Sequence, residues 1–297
     1  MITLKLLNIS YLNKSSYGIL VDNNVILKES LESKLNITLP DTLEALISEK
    51  ESFASLKSLM SDVSKSTSLD NVPLSQCKLL APLLNPPKIL CLGLNYVDHA
   101  AEQGKAPPEE PTLFMKPRTT IVGPYDDVVK LDWVTQLDYE CELAVVIGQG
   151  GKNISMDDAF NHVFGYMVFN DVSARDIQFK DRQWTRGKSF DTFAPMGPWI
   201  TTSDEIDDPH SLKMVTTVNG EVRQNSTTEQ MFLKIPQIIH KISKVMTLEP
   251  GDVIPTGTPA GVALYLKPSP KFLEKDDVVK LSIDGLGSLE NKIISDS

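Results

Sequence analysis

The sequence predicts an α+β fold that is predominantly β, with a small N-terminal α+β subdomain over residues 1–72 and a larger, mainly β domain over residues 73–297. Two observations carry this. From PLLNPPKIL onward, short apolar runs follow one another between Gly and Pro residues, the pattern of rolled or sandwiched sheets. Ahead of that stretch lie two strand-like runs and one amphipathic helix, which end in the polar segment SDVSKSTSLDN, read here as a linker.

In order along the chain, TLKLLNIS and YGILVDNNVILKES alternate as strands do, the second broken by the turn-forming DNN. A helix is expected next, opened by Asp41 with Glu44 completing a capping box. It carries Leu43, Leu46, Ile47, Leu56, Leu59, Met60 and Val63 at near-helical spacing. In the larger domain SMDDAFNHV reads as a short helix with Ser155 at its N-cap, and PQIIHKISKVM as a longer one with Pro236 in its first turn. No internal repeat or low-complexity tract interrupts the pattern.

A chain of 297 residues with 41% hydrophobic content can bury one large core, alone or with a small accessory one. Its formal charge of -10 repels phosphate backbones and anionic bilayers, which excludes nucleic acid and membrane surfaces as expected partners. The longest apolar stretches, such as LAVVI, fall far short of the ~20 residues of a membrane span. MITLKLLNIS lacks a basic n-region and apolar h-region, and the first arginine is Arg118, so neither a secretory signal nor a transit peptide is visible. The expected compartment is the cytoplasm, or the mitochondrial matrix for a chain shown without its presequence. Cys77, Cys91 and Cys141 are odd in number and outside any CxxC pattern, which fits buried thiols in a reducing compartment.

The chemistry concentrates in four places. In DYECELAVVIG, Asp138, Glu140 and Glu142 share one strand face, while Cys141, Leu143, Val145 and Ile147 share the other. Alternate strand residues are about 7 Å apart, so two glutamates can converge on one ion. A solvated strand face has the same pattern, and Asp171 is what favours the metal: it ends the apolar run FGYMVFND and precedes the polar cluster SARDIQ. Oxygen-only ligands suit Mg²⁺, with Mn²⁺ or Ca²⁺ as alternatives. Three carboxylates around a dication leave a local charge of about -1, and Arg175, Lys188 and Lys116 are the candidate compensating cations.

LGLNYVDHAAEQG reads as a helical turn or two capped by Asn95 and ending at Gly104, which sets His99 and Glu102 on one face. A carboxylate beside an imidazole fixes its tautomer and raises its basicity, although an exposed surface pair has the same spacing. RGKSFDTFAPMGP ends like a phosphate-binding loop, but Arg182 stands where that motif needs glycine, so Lys188 is either a cation near the metal or a solvated lysine. TGTPAGV offers Thr258 and loop amides suited to a carboxylate, or is simply a tight turn. Neither GxSxG nor GxGxxG occurs, which removes the main support for serine-hydrolase and Rossmann readings.

Taken together and in this order, GLNYVDHAAEQ, LFMKP, DYECELAVVIG, GYMVFNDVSARDIQ, GKSFDTFAPMGP and TGTPAGV resemble signature segments of the fumarylacetoacetate hydrolase superfamily, across roughly residues 73 to 292. The N-terminal region, IVGPYD and KPSPKFLEKDDVV are most similar to its domain-containing protein 2 group. The resemblance implies a β-roll of mixed sheets, a homodimer, and Mg²⁺ or a similar cation held by Glu140, Glu142 and Asp171. It implies catalytic roles for His99, Glu102 and Lys188, and substrate contacts for Lys116, Arg175, Gln178 and Thr258. Some relatives have a further acidic ligand near Asn95; this chain has none there, which leaves that coordination site to water.

The superfamily's common chemistry is a 2-oxo acid or 1,3-dicarbonyl chelated to the metal, which stabilises an enolate. The expected substrate is accordingly a small oxo-dicarboxylate, with oxaloacetate keto–enol tautomerisation or acylpyruvate hydrolysis leading. Oxaloacetate decarboxylation, or a noncatalytic metal-binding scaffold of the same fold, are the alternatives.

Overall fold

The computed structural model describes residues 4–63, 70–181 and 183–296. Strand outweighs helix, 36% to 24%, in several sheets without a closed barrel, which bears out the predominantly β reading. The largest sheet has ten strands. One end of it is the antiparallel set Val253–Pro255, Cys141–Ile147, Val163–Asn170 and Ala194–Thr202, and it continues into the N-terminal strands Lys5–Tyr11, Lys14–Val21 and Asn24–Leu27. The join is direct, with Lys5 opposite Thr201 and Leu6 opposite Ile200. A second sheet of five strands contains Lys213–Val218, Glu221–Thr227, Val278–Ile283, Gly287–Ser295 and Val128–Lys130.

The strand Cys141–Ile147 is buried on both faces. Cys141, Leu143, Val145 and Ile147 enter one core cluster, shared with Met214, Leu281 and Leu289 of the five-stranded sheet. Ala144 and Val146 enter a second, shared with Leu6, Ile19 and Leu46 of the N-terminal region. That double burial is why LAVVI reads as a continuous apolar run. Each fully buried Val, Leu or Ile side chain of this kind contributes roughly 1.5–3 kcal/mol.

The helices differ in detail from the sequence expectation. The single helix expected from Asp41 is two, Leu43–Ser48 and Lys50–Val63, separated at Glu49. Thr42 is its N-cap, accepting from Ala45 N at 3.1 Å, whereas Glu44 accepts from Leu84 N and Asn85 N and so ties the helix to the following chain. VILKES is not all strand: a helix, Lys28–Leu35, begins directly after Leu27. Only Leu31 of it is buried, so it carries almost no periodic signal. Residues 61–63 of the expected linker continue the second helix, and 64–69 lie outside the described residues. SMDDAFNHV yields a short 3₁₀ turn, Ala159–His162. PQIIHKISKVM forms Ile235–Val245, which buries Ile235, Ile238, Ile239 and Ile242. Among the described residues no helix is long and apolar enough to cross a membrane.

Candidate active site

The acidic run is not one strand. The ladder between Cys141–Ile147 and Val163–Asn170 ends at the pair Cys141 and Asn170, then resumes as a separate two-stranded sheet pairing Asp138 with Ser173. In the gap, Asp171 N donates to Glu140 O at 3.0 Å and Glu140 N donates to the Asn170 side-chain oxygen at 3.0 Å. Beyond the break, Asp138 is taken up by other partners. Its carboxylate accepts from Ala263 N at 2.8 Å and from Arg175 Nε at 2.8 Å.

Glu140, Glu142 and Asp171 stay together, each offering an oxygen within 4.8 Å of the others. Their exposures of 5%, 0% and 0% rule out the solvated strand face. Gly257 helps to hold Glu142, donating its N–H to Oε2 at 2.8 Å. Its φ of +97° and the Asn95 Cβ lying 3.1 Å from where its own Cβ would stand call for glycine.

Three buried cations surround this triad. Lys188 Nζ lies 2.8 Å from Glu140 Oε2 and 2.5 Å from Asp171 Oδ2. Arg175 Nη2 contacts Glu140 Oε1 at 2.6 Å, and Lys116 Nζ contacts Asp171 Oδ1 at 2.7 Å. Those last two contacts are ion pairs off the hydrogen-bond direction, since Arg175 Nη2 and Asp171 Oδ1 count among the atoms without an aligned partner. Among the described residues, four carboxylates, Asp138 included, face three cations, leaving one negative charge uncompensated.

That charge falls on Glu142. Its Oε1 is buried with no hydrogen-bond partner among the described residues, and burial, then Asp171 and Glu140, push its carboxyl well above the usual range. Glu140 goes the other way: burial pushes it up, but Lys188 and Arg175 outweigh that and hold it well below. For Lys188, burial is more than offset by Asp171 and Glu140, and it is raised. For Lys116 burial dominates over Asp171, and it is lowered. A buried all-oxygen donor set with one orphaned carboxylate oxygen and one excess negative charge fits a hard divalent cation.

A cavity of about 210 Å³ reaches the triad at Glu140 and is lined also by His99, Arg175, Gln178, Lys188 and Thr258 together with an apolar rim. His99 is only 6% exposed, so it is no surface pair. Its Nδ1 lies 2.6 Å from Glu102 Oε1, whose other oxygen accepts from Gly261 N at 3.1 Å. Nε2 lies 2.8 Å from Gln103 Nε2. The amide can only donate there, so Nε2 is the unprotonated nitrogen and Nδ1–H donates to Glu102. The helix Val97–Glu102 that carries the pair has Tyr96 rather than Asn95 at its N-cap position, with no side-chain capping bond. Asn95 instead binds Leu233 O, Thr256 O and Leu233 N, which joins two loops beneath the site.

The fold thus gathers all ten sequence-predicted residues, but not all face the cavity. Lys116 lies behind Asp171 with a side-chain exposure of 0%, donating to Val172 O, Lys188 O and Phe193 O. Thr258 lines the cavity, yet its hydroxyl already donates to Cys141 O and accepts from Gln224. Sequence reasoning missed Asp138 as the Arg175 anchor, Gln224 as the clamp between Thr258 and Cys141 N, and Gln103 on His99. Gln103 alone had a readable signal, standing four residues after His99 on the same helical face.

Residues 88–294 match the family model described as fumarylacetoacetate (FAA) hydrolase C-terminal, the family that the six sequence segments resemble. The chain is 45% identical over 259 residues to the Homo sapiens "Oxaloacetate tautomerase FAHD2A, mitochondrial", covering 86% of this chain and 81% of that one. Among solved structures it is similar to a fumarylacetoacetate hydrolase from Exiguobacterium antarcticum, with a TM-score of 0.84 and 36% identity over 99% of this chain and 100% of that one. It is also similar to a 2-hydroxyhepta-2,4-diene-1,7-dioate isomerase from Mycobacterium marinum, with a TM-score of 0.76 and 32% identity over 99% and 100% of the two chains.

Proposed function

The chain belongs to the fumarylacetoacetate hydrolase family, and from that premise we propose that it is a divalent-cation-dependent oxaloacetate keto–enol tautomerase. The observation that carries the reading is the charge pattern: a buried acid cluster one negative charge in excess, under a small cavity that presents Arg175, Lys188 and a carboxylate-bound imidazole. Glu140, Glu142 and Asp171 would hold the ion, with Mg²⁺ preferred over Mn²⁺ or Ca²⁺ for a hard oxygen donor set. When bound, the ion supplies Lewis acidity that polarises a 2-oxo group.

The chain's own residues supply the rest. A dication turns the local excess of one negative charge into one positive charge, so the loaded site attracts a dianion. Lys188, whose Nζ sits between Glu140 and Asp171 on the cavity wall, serves as a cation for a substrate carboxylate. Arg175, braced by Asp138, offers a second cation on the wall. His99 Nε2 takes a proton from C3 while the C–H electron pair becomes the C2–C3 double bond and the C2–O π pair moves onto the oxygen. The imidazolium then returns that proton to the keto oxygen, and Glu102 steadies the transient charge. About 210 Å³ lies below the ~300–1,000 Å³ of drug-sized pockets, which favours a small acid.

A second reading, acylpyruvate hydrolysis, is favoured by the apolar rim of Phe179, Trp184, Leu264 and Tyr265, which could take an acyl tail. Assaying enol-oxaloacetate ketonisation and acylpyruvate cleavage side by side, with Mg²⁺ and with chelator, separates the two. Mg²⁺-dependent ketonisation supports the first reading; cleavage alone supports the second. We further infer a homodimer, tested by light scattering for twice the chain mass. The mitochondrial description of its relatives favours the matrix over the cytosol, and imaging of the tagged full-length protein decides between them.

A further inference from the structure

His99 cannot act as a base in the arrangement described, because Gln103 already donates to the lone pair on its Nε2 at 2.8 Å. The orientation of that amide is fixed independently. Lys105 Nζ donates to Gln103 Oε1 at 3.2 Å. Turning the amide over would set its N–H₂ against an ammonium and its oxygen against the imidazole lone pair. The backbone supports the same geometry: Gly104, at φ +66°, folds the chain back so that Lys105 N donates to Ala100 O at 2.9 Å. One polarised chain therefore runs from Lys105 through Gln103, His99 and Glu102 to the N–H of Gly261.

We propose that Gln103 is a positioning residue that, oriented by Lys105, sets the reactive tautomer of His99 and caps its Nε2 until an anionic substrate arrives. Lys105 is exposed and borders the cavity, so an incoming carboxylate competes directly with Gln103 Oε1 for its ammonium. Losing that partner frees the amide to leave Nε2, and the lone pair then faces the substrate with the proton already on Nδ1. The device ties exposure of the base to the presence of a carboxylate and keeps the imidazole in one tautomer between turnovers. It rests on the reading of His99 as the base, but its test needs no turnover.

The test uses the Mg²⁺-loaded protein without substrate. Diethyl pyrocarbonate acylates unprotonated imidazole nitrogens, and peptide mass spectrometry resolves the rate at each of the four histidines. Gln103→Met keeps the bulk and removes the donor. It should raise the rate at His99 by about tenfold, the worth of one net hydrogen bond, and leave His162, His210 and His240 unchanged. Lys105→Met should give a smaller rise at His99 alone. Imidazole ¹⁵N spectra provide the second measurement: wild type should show Nδ1 protonated and Nε2 as a hydrogen-bonded acceptor, and Gln103→Met should shift the Nε2 signal. Equal His99 reactivity in wild type and Gln103→Met with unmoved ¹⁵N signals overturns the proposal. A protein that shows the expected reactivity but no tautomerase activity leaves the cap standing and sinks the functional reading instead.

Discussion

Replacing Glu142 by Gln should leave the metal-free protein at least as stable while abolishing most of its stabilisation by Mg²⁺. Among the described residues, Glu142 is the carboxylate without a cation of its own: Oε2 accepts only from Gly257 N, and Oε1 has no partner. The amide keeps an oxygen for Gly257 and turns an N–H₂ toward the neighbouring carboxylates, within the 4.8 Å that separates the triad's oxygens. Burial and the neighbouring carboxylates already disfavour a charge at this position, so a neutral amide there is tolerated in the metal-free protein. The loaded state behaves oppositely. An ion at about 100 times its Kd stabilises wild type by about 2.7 kcal/mol, which at roughly 2–4 °C per kcal/mol raises Tm by about 5–10 °C. If the variant binds about 100-fold more weakly, the same concentration gives only about 0.4 kcal/mol, roughly 1 °C. Thermal denaturation followed by circular dichroism, with Mg²⁺ and with chelator, reads both effects. An undiminished Mg²⁺ shift in Glu142→Gln would refute the ligand assignment, and a large loss of metal-free stability would refute the charge count.

Three further outcomes follow from the same geometry. His99→Ala should lower tautomerase kcat by roughly 10²–10⁴ while Mg²⁺ affinity by calorimetry stays unchanged. Gly187→Ala should lower Tm and displace Lys188: an added Cβ would stand 2.6 Å from Gln178 N and 2.7 Å from its Cα, a clash costing about 1–3 kcal/mol. His210 accepts from Ile235 N at the start of the long helix, and burial, then Lys234, lower its pKa. A lowered folded value means that its stabilisation is present above the unfolded value of about 6.5 and lost as pH falls through the folded one. His210→Gln should therefore flatten the loss of stability below pH about 6.5, a slope of at most about 1.4 kcal/mol per pH unit, as measured by urea denaturation.

The candidate site was legible wherever side-chain chemistry alone identifies it. Glu140, Glu142 and Asp171 are acids bracketing apolar strands, and such residues are buried only for a reason. What alternation could not show is that the ladder breaks between Asp138 and Cys141, because strand parity is the same whether or not the hydrogen bonds continue. Alternation therefore sets Asp138 on the face of Glu140 and Glu142, although it serves Arg175. Lys116 and Lys188 are indistinguishable in sequence, yet one is sealed behind Asp171 and the other reaches the cavity, a difference made by long-range packing. Asn95 looked like a helix cap because local spacing allowed it; its partners at 233 and 256 are remote in the chain. In the fold, the helix Lys28–Leu35 escaped notice because it buries a single leucine, whereas Ile235–Val245, with four buried isoleucines, was plain.

The central claim is tested most directly by following the ketonisation of enol-oxaloacetate by ultraviolet absorbance, using wild-type protein with Mg²⁺, wild type with chelator, and Glu142→Gln with Mg²⁺. A rate well above buffer in the first sample only is the expected result. Equal rates in all three, or a chelator-resistant rate in wild type, would contradict a cation-dependent tautomerase built on Glu140, Glu142 and Asp171.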